Sequence, residues 1–328
     1  MNILITGGAG YIGSIVSEQL LNEQHDIIII DNLQEGNEKA VLPGTSFYNG
    51  DFGDIDILNN IFSKYKIDVV FHFAAETTIE FSMSDPERYF NNNLIKSLTL
   101  LNAMRAHKCN KIVFSSTAAV YGEPQYTPID EGHPKNPINA YGESKLAFER
   151  VLSWYNKAYG IKYNTFRYFN AAGASNKLGE YHKHESHLIP MIIKSIFLKS
   201  KKSNFVIYGH DYPTKDKTCI RDYVHVLDIC SAHILAIKNL DINPTGKYNL
   251  GNGEGHSILE VINTLETVVG EKIKYTFGDR RIGDPAILIA SSEHAINELG
   301  WSPIHSSLKD IIQSSWKWHL KNPDGYKF

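Results

Sequence analysis

Short apolar runs and longer amphipathic stretches alternate through the first half of the chain. Strands are predicted at 2–6, 26–31, 68–73, 111–116 and 162–168, with a weaker one at 45–48. Helices are predicted at 11–23, 54–65, 84–108 and 140–158. The run Ile27-Ile28-Ile29-Ile30 is apolar without alternation, as a parallel strand covered on both faces requires. This βαβα order predicts an α/β fold, a Rossmann-type doubly wound parallel sheet. The second half is less regular. Its pattern predicts helices at 187–199, 225–239, 257–269, 291–299 and 307–321, and short strands at 205–208, 246–250, 273–277 and 286–290. Segments 170–186 and 209–218 are rich in Pro, Gly and Asn and read as functional or linking loops. We expect a cofactor domain over 1–168, with a segment near 219–250 returning to it, and a smaller C-terminal mixed α/β substrate domain over 169–328.

Composition narrows the class. With 42% hydrophobic and 21% charged residues the chain has ample material for a core. A net charge of −3 gives no polybasic footprint, so neither nucleic acid nor an anionic membrane is an expected partner. The basic run Lys199-Ser200-Lys201-Lys202 reads as a solvated helix end. Cys109, Cys219 and Cys230 form no Cys-x-x-Cys motif and no zinc-type spacing, which fits a reducing compartment and predicts no metal. Apolar runs such as Val69 to Ala75 are far too short to span a bilayer. The N-terminus enters a strand directly, without a signal-peptide layout, so the expectation is a cytoplasmic protein.

Two constellations carry chemistry. Gly7-Gly8-Ala9-Gly10-Tyr11-Ile12-Gly13 sits where the first strand meets the first helix. Glycines there allow a tight turn and close approach of a pyrophosphate, and the helix start offers free N–H groups to that anion. Asp31, at the end of the second strand, is placed to accept hydrogen bonds from a ribose diol and to repel a 2′-phosphate, which favours NAD over NADP. Asp51 reads equally as an adenine ligand or a helix cap. The second constellation is Tyr141 and Lys145, one turn apart on one helix face. A phenol with a pKa of about 10 is a poor base at neutral pH, and a nearby ammonium favours its phenolate. Tyr141 would then take a proton from a substrate hydroxyl while hydride leaves for the cofactor.

These stretches resemble the extended short-chain dehydrogenase/reductase family, within it the NAD-dependent nucleotide-sugar epimerases. The likeness runs through TGGAGYIG (6–13), DNL (31–33), HFAA (72–75), YFNNN (89–93), SSTAAVYGE (115–123), PINAYGESK (137–145) and RYFNAAGA (167–174). It continues through DYPTKDKTCIRDYVHVLD (211–228), YNLGNGEG (248–255), RRIGDPA (280–286) and WKWHLKNPDGY (316–326), so it covers nearly the whole chain. The resemblance implies tightly bound NAD and interconversion of UDP-glucose and UDP-galactose, a step of galactose metabolism. It makes Tyr141 the base, gives Lys145 the nicotinamide ribose and the tuning of Tyr141, and sets Thr117 at the sugar 4-hydroxyl. Gly7, Gly10, Tyr11, Ile12 and Gly13 would form the cofactor loop. Asp31, Asn32, Asp51 and Phe52 would line the adenosine, and Phe73, Ala74, Ala75, Asn92 and Tyr168 the rest of NAD. Asn170, His187, Leu188, Tyr208, Arg221, Arg281 and Asp284 would hold the UDP-sugar, with Leu288 beside the sugar. It also implies a homodimer through a four-helix bundle built from the helices at 84–108 and 140–158.

The sequence departs from the family's best-known pattern at Thr77, His187 and Leu288, which bears on sugar specificity and leaves Tyr141, Lys145 and the glycine loop untouched. His187 reads either as a donor to UDP or as a structural histidine. Ala118 and Ala119 stand where a related 4,6-dehydratase would carry its acidic pair, so elimination of water is disfavoured. A 4-epimerase of another UDP-sugar (pentose, uronic acid or N-acetylhexosamine) and a non-catalytic NAD-binding sensor are the remaining alternatives.

Overall fold

The computed structural model describes residues 1–197, 205–281, 284–305 and 307–326. The basic run at 199–202 lies outside the described residues. The first unit comprises β1 (Asn2–Thr6), α1 (Tyr11–Asn22), β2 (Asp26–Asp31), β3 (Ser46–Asn49), α2 (Ile55–Lys64), β4 (Val69–His72), α3 (Ile79–Ser84), α4 (Pro86–Phe90), α5 (Lys96–Ala106), β5 (Lys111–Thr117), α6 (Ala140–Tyr159) and β6 (Lys162–Tyr168). After it come β7 (Asn170–Ala172), α7 (Leu188–Phe197), β8 (Phe205–Tyr208), β9 (Ile220–His225), α8 (Val226–Ile242), β10 (Lys247–Leu250), β11 (Gly255–Ser257), α9 (Ile258–Val269), β12 (Tyr275–Gly278), β13 (Ile287–Leu288), α10 (Glu293–Leu299) and α11 (Leu308–Lys321).

Seven parallel strands form the main sheet in the order β10-β6-β5-β4-β1-β2-β3. Successive side chains of a strand point to opposite faces, and both faces are covered here. Ile3 and Ile5 join Ile15, Val16, Val226 and Ile229 in one core, whereas Leu4 joins Leu58, Leu101, Phe148 and Leu152 in the other. The sheet is therefore doubly wound, as the sequence predicts. β1 pairs with β2 on one side and β4 on the other. The crevice beyond their carboxyl ends is the topological switch point, where open α/β sheets bind ligands.

The predicted helix at 84–108 is broken in the structure. Asp85 caps α4, accepting from the Arg88 N–H, with Pro86 at its first position. A π turn over Asn91–Ile95 then precedes α5. Such single π turns are frequent at functional sites. Here the Asn93 side chain is buried and takes hydrogen bonds outside the helix, which favours the wider turn.

A smaller unit is built on a four-stranded sheet, with β9 between β11 and β13 and paired also to β7. A second sheet pairs β12 with β8. Ile192, Ile193, Ile207, Val261, Leu265, Ile311 and Ile312 form its core, drawn from α7, β8, α9 and α11. The hydrophobic pattern does not predict β9, because Arg221 and Asp222 interrupt its apolar run. Both are buried and compensated by tertiary contacts. The Asp222 carboxylate accepts the backbone N–H groups of Asn252 (2.6 Å), Gly253 (3.0 Å) and Ala290 (3.0 Å). β7 and β11 are three residues long and likewise escape a reading based on periodicity. Among the described residues no helix is long and apolar enough to cross a membrane.

One buried ion pair joins α6 to β6. Arg167 donates from Nε to Glu149 Oε1 (3.0 Å) and from Nη2 to Glu149 Oε2 (2.6 Å). Ser116 donates to Glu149 Oε1 (2.6 Å), and Arg167 Nη1 donates to the Tyr121 hydroxyl (2.8 Å). Burial alone would raise the Glu149 pKa, but the guanidinium more than offsets this and holds it low. Arg167→Met leaves that carboxylate buried without its partner, so we expect a loss of about 3–5 kcal/mol in denaturant unfolding. Arg167→Met combined with Glu149→Leu should recover most of it. A single variant as stable as the wild type would mean the pair does not anchor α6.

Candidate active site

Gly7 follows β1 with φ +73°, and a Cβ there would stand 2.6 Å from the Ala74 backbone nitrogen. A Cβ on Gly13 would stand 2.3 Å from the Gly7 carbonyl oxygen. These two positions therefore demand glycine, and they let the loop close against the segment after β4. Gly10 caps α1 without a side-chain bond, so no capping side chain takes up the first-turn N–H groups. Tyr11 spends its phenol on the Gly173 carbonyl (2.7 Å), and Ile12 packs on the main core. Their side chains are thus structural, and what they can offer a ligand is backbone.

Asp31 ends β2 and is buried. Its oxygens accept the Ala9 and Leu33 N–H groups, both at 2.9 Å. Burial raises its pKa, and the two backbone donors pull it back. The carboxylate thus ties the glycine loop to the loop after β2 and keeps lone pairs for a further donor. Asn32 accepts from the Gln34 N–H (3.0 Å) in the same loop. Asp51 is not the cap of α2; Asp54 fills that position, accepting from Asp56 and Ile57. Asp51 instead fastens the turn at Gly53 (2.7 Å) and pairs with Lys96 (2.5 Å). Phe52 is buried against the His72 ring, 5.1 Å between centroids.

Phe73 and Ala74 leave β4 with their N–H groups bonded to the Thr6 carbonyl (3.0 and 3.1 Å), which lays Phe73, Ala74 and Ala75 across the switch point. Asn92 sits in the π turn and donates to Asn93 (3.2 Å). Asn93 itself escaped the sequence reading. It accepts from Glu76 N (2.8 Å) and donates to Glu76 O (3.0 Å) and Ser144 Oγ (3.1 Å), so it locks the loop after β4 to the start of α6. The triple asparagine at 91–93 was its only signal. Buried His72 is a second missed support, bridging Thr6 (2.7 Å) and Ser97 (2.8 Å).

The reactive pair lies at the start of α6. Asn139 caps this helix through the Gly142 N–H (2.8 Å), which puts Tyr141 in the first turn and Lys145 on the next. Thr117, the last residue of β5, lies near enough to the Tyr141 phenol to lower its pKa, and its hydroxyl accepts from Ala119 N (3.1 Å). Burial pushes the phenol up to about 12, and Thr117 opposes that rise. Lys145 donates to the Ser115 carbonyl (2.9 Å) and lies 4.9 Å from the Phe114 ring centre. Burial lowers its ammonium to about 7, with Glu149 opposing. Burial and Thr117 are the protein contributions that act on the Tyr141 acidity. Tyr168 closes this wall, with its phenol 2.7 Å from His233 Nε2. Tyr121 is buried behind the site, donating to Asn249 (2.6 Å).

The remaining predicted residues gather on the smaller unit. Asn170 opens β7 opposite Tyr223 of β9. Arg221 of β9 donates to Asp284, which also accepts from the Tyr212 hydroxyl (3.3 Å). The exposed Arg281 guanidinium lies 4.4 Å from the Tyr208 ring centre. The two arginines thus have different settings: one is buried in an ion pair, the other is stacked at the surface. Leu288 pairs with Arg221 in register and packs on the cluster containing Ala118, Leu146 and Phe169, which places it beside the Thr117 loop. Leu188 begins α7. His187 precedes it and directs Nδ1 at Glu180 (2.8 Å) and Glu185 (3.2 Å).

Comparison with known proteins places the fold and the sequence. Residues 3–251 match the model of the NAD dependent epimerase/dehydratase family. The UDP-glucose 4-epimerase of Lacticaseibacillus casei is 48% identical, covering 99% of each chain, and that of Halalkalibacterium halodurans is 47% identical, covering 99% of this chain and 98% of the relative. The crystal structure of UDP-glucose 4-epimerase from Bifidobacterium longum in complex with NAD+ and UDP superposes with a TM-score of 0.93 at 37% identity, covering 99% of this chain and 100% of that one. On fold, site and sequence together, the chain belongs to the NAD dependent epimerase/dehydratase family.

Proposed function

We propose that the chain interconverts UDP-glucose and UDP-galactose by oxidation at carbon 4, rotation of the 4-keto sugar and reduction from its other face. One observation carries this reading: Tyr141 in the first turn of α6 with Lys145 one turn on, set beside Thr117 at the carboxyl end of β5. Identity of 48% to a full-length UDP-glucose 4-epimerase supports it. The residues fit a dinucleotide, because Gly7 and Gly13 let the loop close tightly ahead of α1, the start of α1 carries no side-chain cap, and Asp31 keeps an acceptor at the end of β2. Bound NAD supplies the hydride acceptor and a positive ring that favours the Tyr141 phenolate. Tyr141 takes the 4-hydroxyl proton and returns it, and Thr117 orients that hydroxyl. Lys145 holds the ribose beside Ser115. Asn170, Leu188, Tyr208, Arg221, Arg281 and Asp284 grip the UDP moiety on the smaller unit. Binding energy from that remote part leaves the sugar free to turn. Ala118 and Ala119 offer no acid or base for elimination. In this reading 1–168 carries the cofactor and 169–328 mainly the UDP-sugar, with β10 returning to the main sheet.

We also place the protein in the cytoplasm as a homodimer. Cys109, Cys219 and Cys230 are free and buried, which supports the first. For the second, Ile95 of the π turn and Trp154 of α6 are 56% and 66% exposed on adjoining elements, an apolar face suited to a four-helix contact.

Four variants test these assignments. Tyr141→Phe should retain NAD and lose turnover of UDP-galactose by at least about 100-fold. Thr117→Val removes the hydroxyl that lowers the Tyr141 pKa, so the limb of kcat/KM that follows this phenol should move to higher pH. An active Tyr141→Phe enzyme would remove Tyr141 as the base. Asp31→Ala should narrow the preference for NAD over NADP, measured as the ratio of the two Kd values; an unchanged ratio would leave Asp31 a purely structural role. Trp154→Glu should shift sedimentation from dimer to monomer, and a monomeric wild type would sink the bundle.

A further inference from the structure

Eight consecutive residues ahead of α7 bring four ligating groups together outside the reacting centre. Glu180, His182, Glu185 and His187 present one oxygen or nitrogen each, all within 4.8 Å of one another. His187 Nδ1 stands 2.8 Å from Glu180 Oε1 and 3.2 Å from Glu185 Oε1. His182 Nδ1 stands 3.3 Å from Glu185 Oε2 and 3.6 Å from Glu180 Oε1. Around a four-coordinate zinc with bonds of about 2.0–2.1 Å, neighbouring ligand atoms lie roughly 3.3 Å apart. With one oxygen taken from each carboxylate, the separations 2.8, 3.2 and 3.6 Å straddle that edge length.

Charge allows a cation. The two carboxylates expose only 4% and 7% of their side chains, and two protonated imidazoles would balance them just as a divalent ion would. Lys183 lies in the same segment but donates to the Leu33 and Gln34 carbonyls (2.8 and 2.7 Å), and His184 faces Glu35 (3.7 Å). A divalent cation bound by two neutral imidazoles and two carboxylates leaves the cluster uncharged. Two nitrogen and two oxygen donors suit a borderline ion of the zinc class better than calcium or magnesium, which take oxygen shells. The half-exposed His187 leaves an entry path.

We propose that Glu180, His182, Glu185 and His187 form a structural site for a zinc-class divalent cation. The ion would clasp the segment that bridges the cofactor loop and the substrate-side helix. That segment meets the loop after β2 through Lys183 and through the Asn37 bond to the Tyr181 carbonyl (3.2 Å). Ligation through Nδ1 fixes the tautomer of His187 and leaves its Nε2–H as a donor toward the substrate side.

The test uses the full chain, free of any histidine tag and stripped with a chelator. Titration with Co2+ alone should give the intense visible bands of a four-coordinate ion, saturating at one per chain and abolished by one equivalent of Zn2+. His182→Ala and Glu185→Gln should each weaken binding by at least about 100-fold, the upper end of what loss of an outer-shell partner costs. Zn2+ should raise the Tm of the wild type and leave that of His182→Ala unmoved. His25→Ala, a surface control, should bind like the wild type. Absence of the bands, or bands that survive both His182→Ala and Glu185→Gln, would overturn the site and leave a histidine–carboxylate ion-pair network. Neither result depends on turnover, so it separates from the fate of the proposed reaction.

Discussion

The buried Glu149–Arg167 pair is the constraint on which the site's geometry rests. The pair and its two partners join three segments: Ser116 at the end of β5 with Tyr121 just after it, Glu149 on α6, and Arg167 on β6. Through Tyr121 it reaches Asn249 on β10, which in turn donates to the Ile129 carbonyl (2.9 Å). Taking two charges out of water is costly, and only a bidentate, fully bonded arrangement offsets it. That cost makes the arrangement selective. Thr117 and Tyr141, the pair proposed to meet the sugar, flank this network on β5 and α6, so their separation follows from it.

The same burial sets the chemistry. Desolvation moves both members of the pair away from charge, Tyr141 up to about 12 and Lys145 down to about 7. A dry site of this kind makes any introduced charge count for more than it would in water. Proton removal at Tyr141 is therefore coupled to what sits beside it, and Thr117 is the protein's own contribution. Lys145, one turn from the phenol, donates to the Ser115 carbonyl and lies against the Phe114 ring.

On the smaller unit, polar groups do the work that apolar runs do in the main sheet. Asp222 gathers three backbone donors from the loops after β10 and β13, and Arg221 gathers Asp284. Buried charges of this kind are satisfied one contact at a time, which lets short strands such as β7, β11 and β13 hold a fixed register. The surface that would face a nucleotide is thus built from contacts between segments tens of residues apart.

The local pattern by itself determined the main sheet, since Ile27 to Ile30, Val69 to Phe71 and Ile112 to Phe114 are apolar runs whose periodicity needs no partner to be read. It also determined the glycine loop and the one-turn spacing of Tyr141 and Lys145, because those follow from backbone sterics and helix geometry. Strand β9, the break at Asn91–Ile95, the locking role of Asn93 and the convergence of Glu180, His182, Glu185 and His187 were decided only by tertiary structure. Each depends on burying or pairing a polar group against a distant residue or across an irregular loop. A polar side chain shows no periodicity that tells a solvated position from a satisfied one. That distinction exists only once the chain is packed.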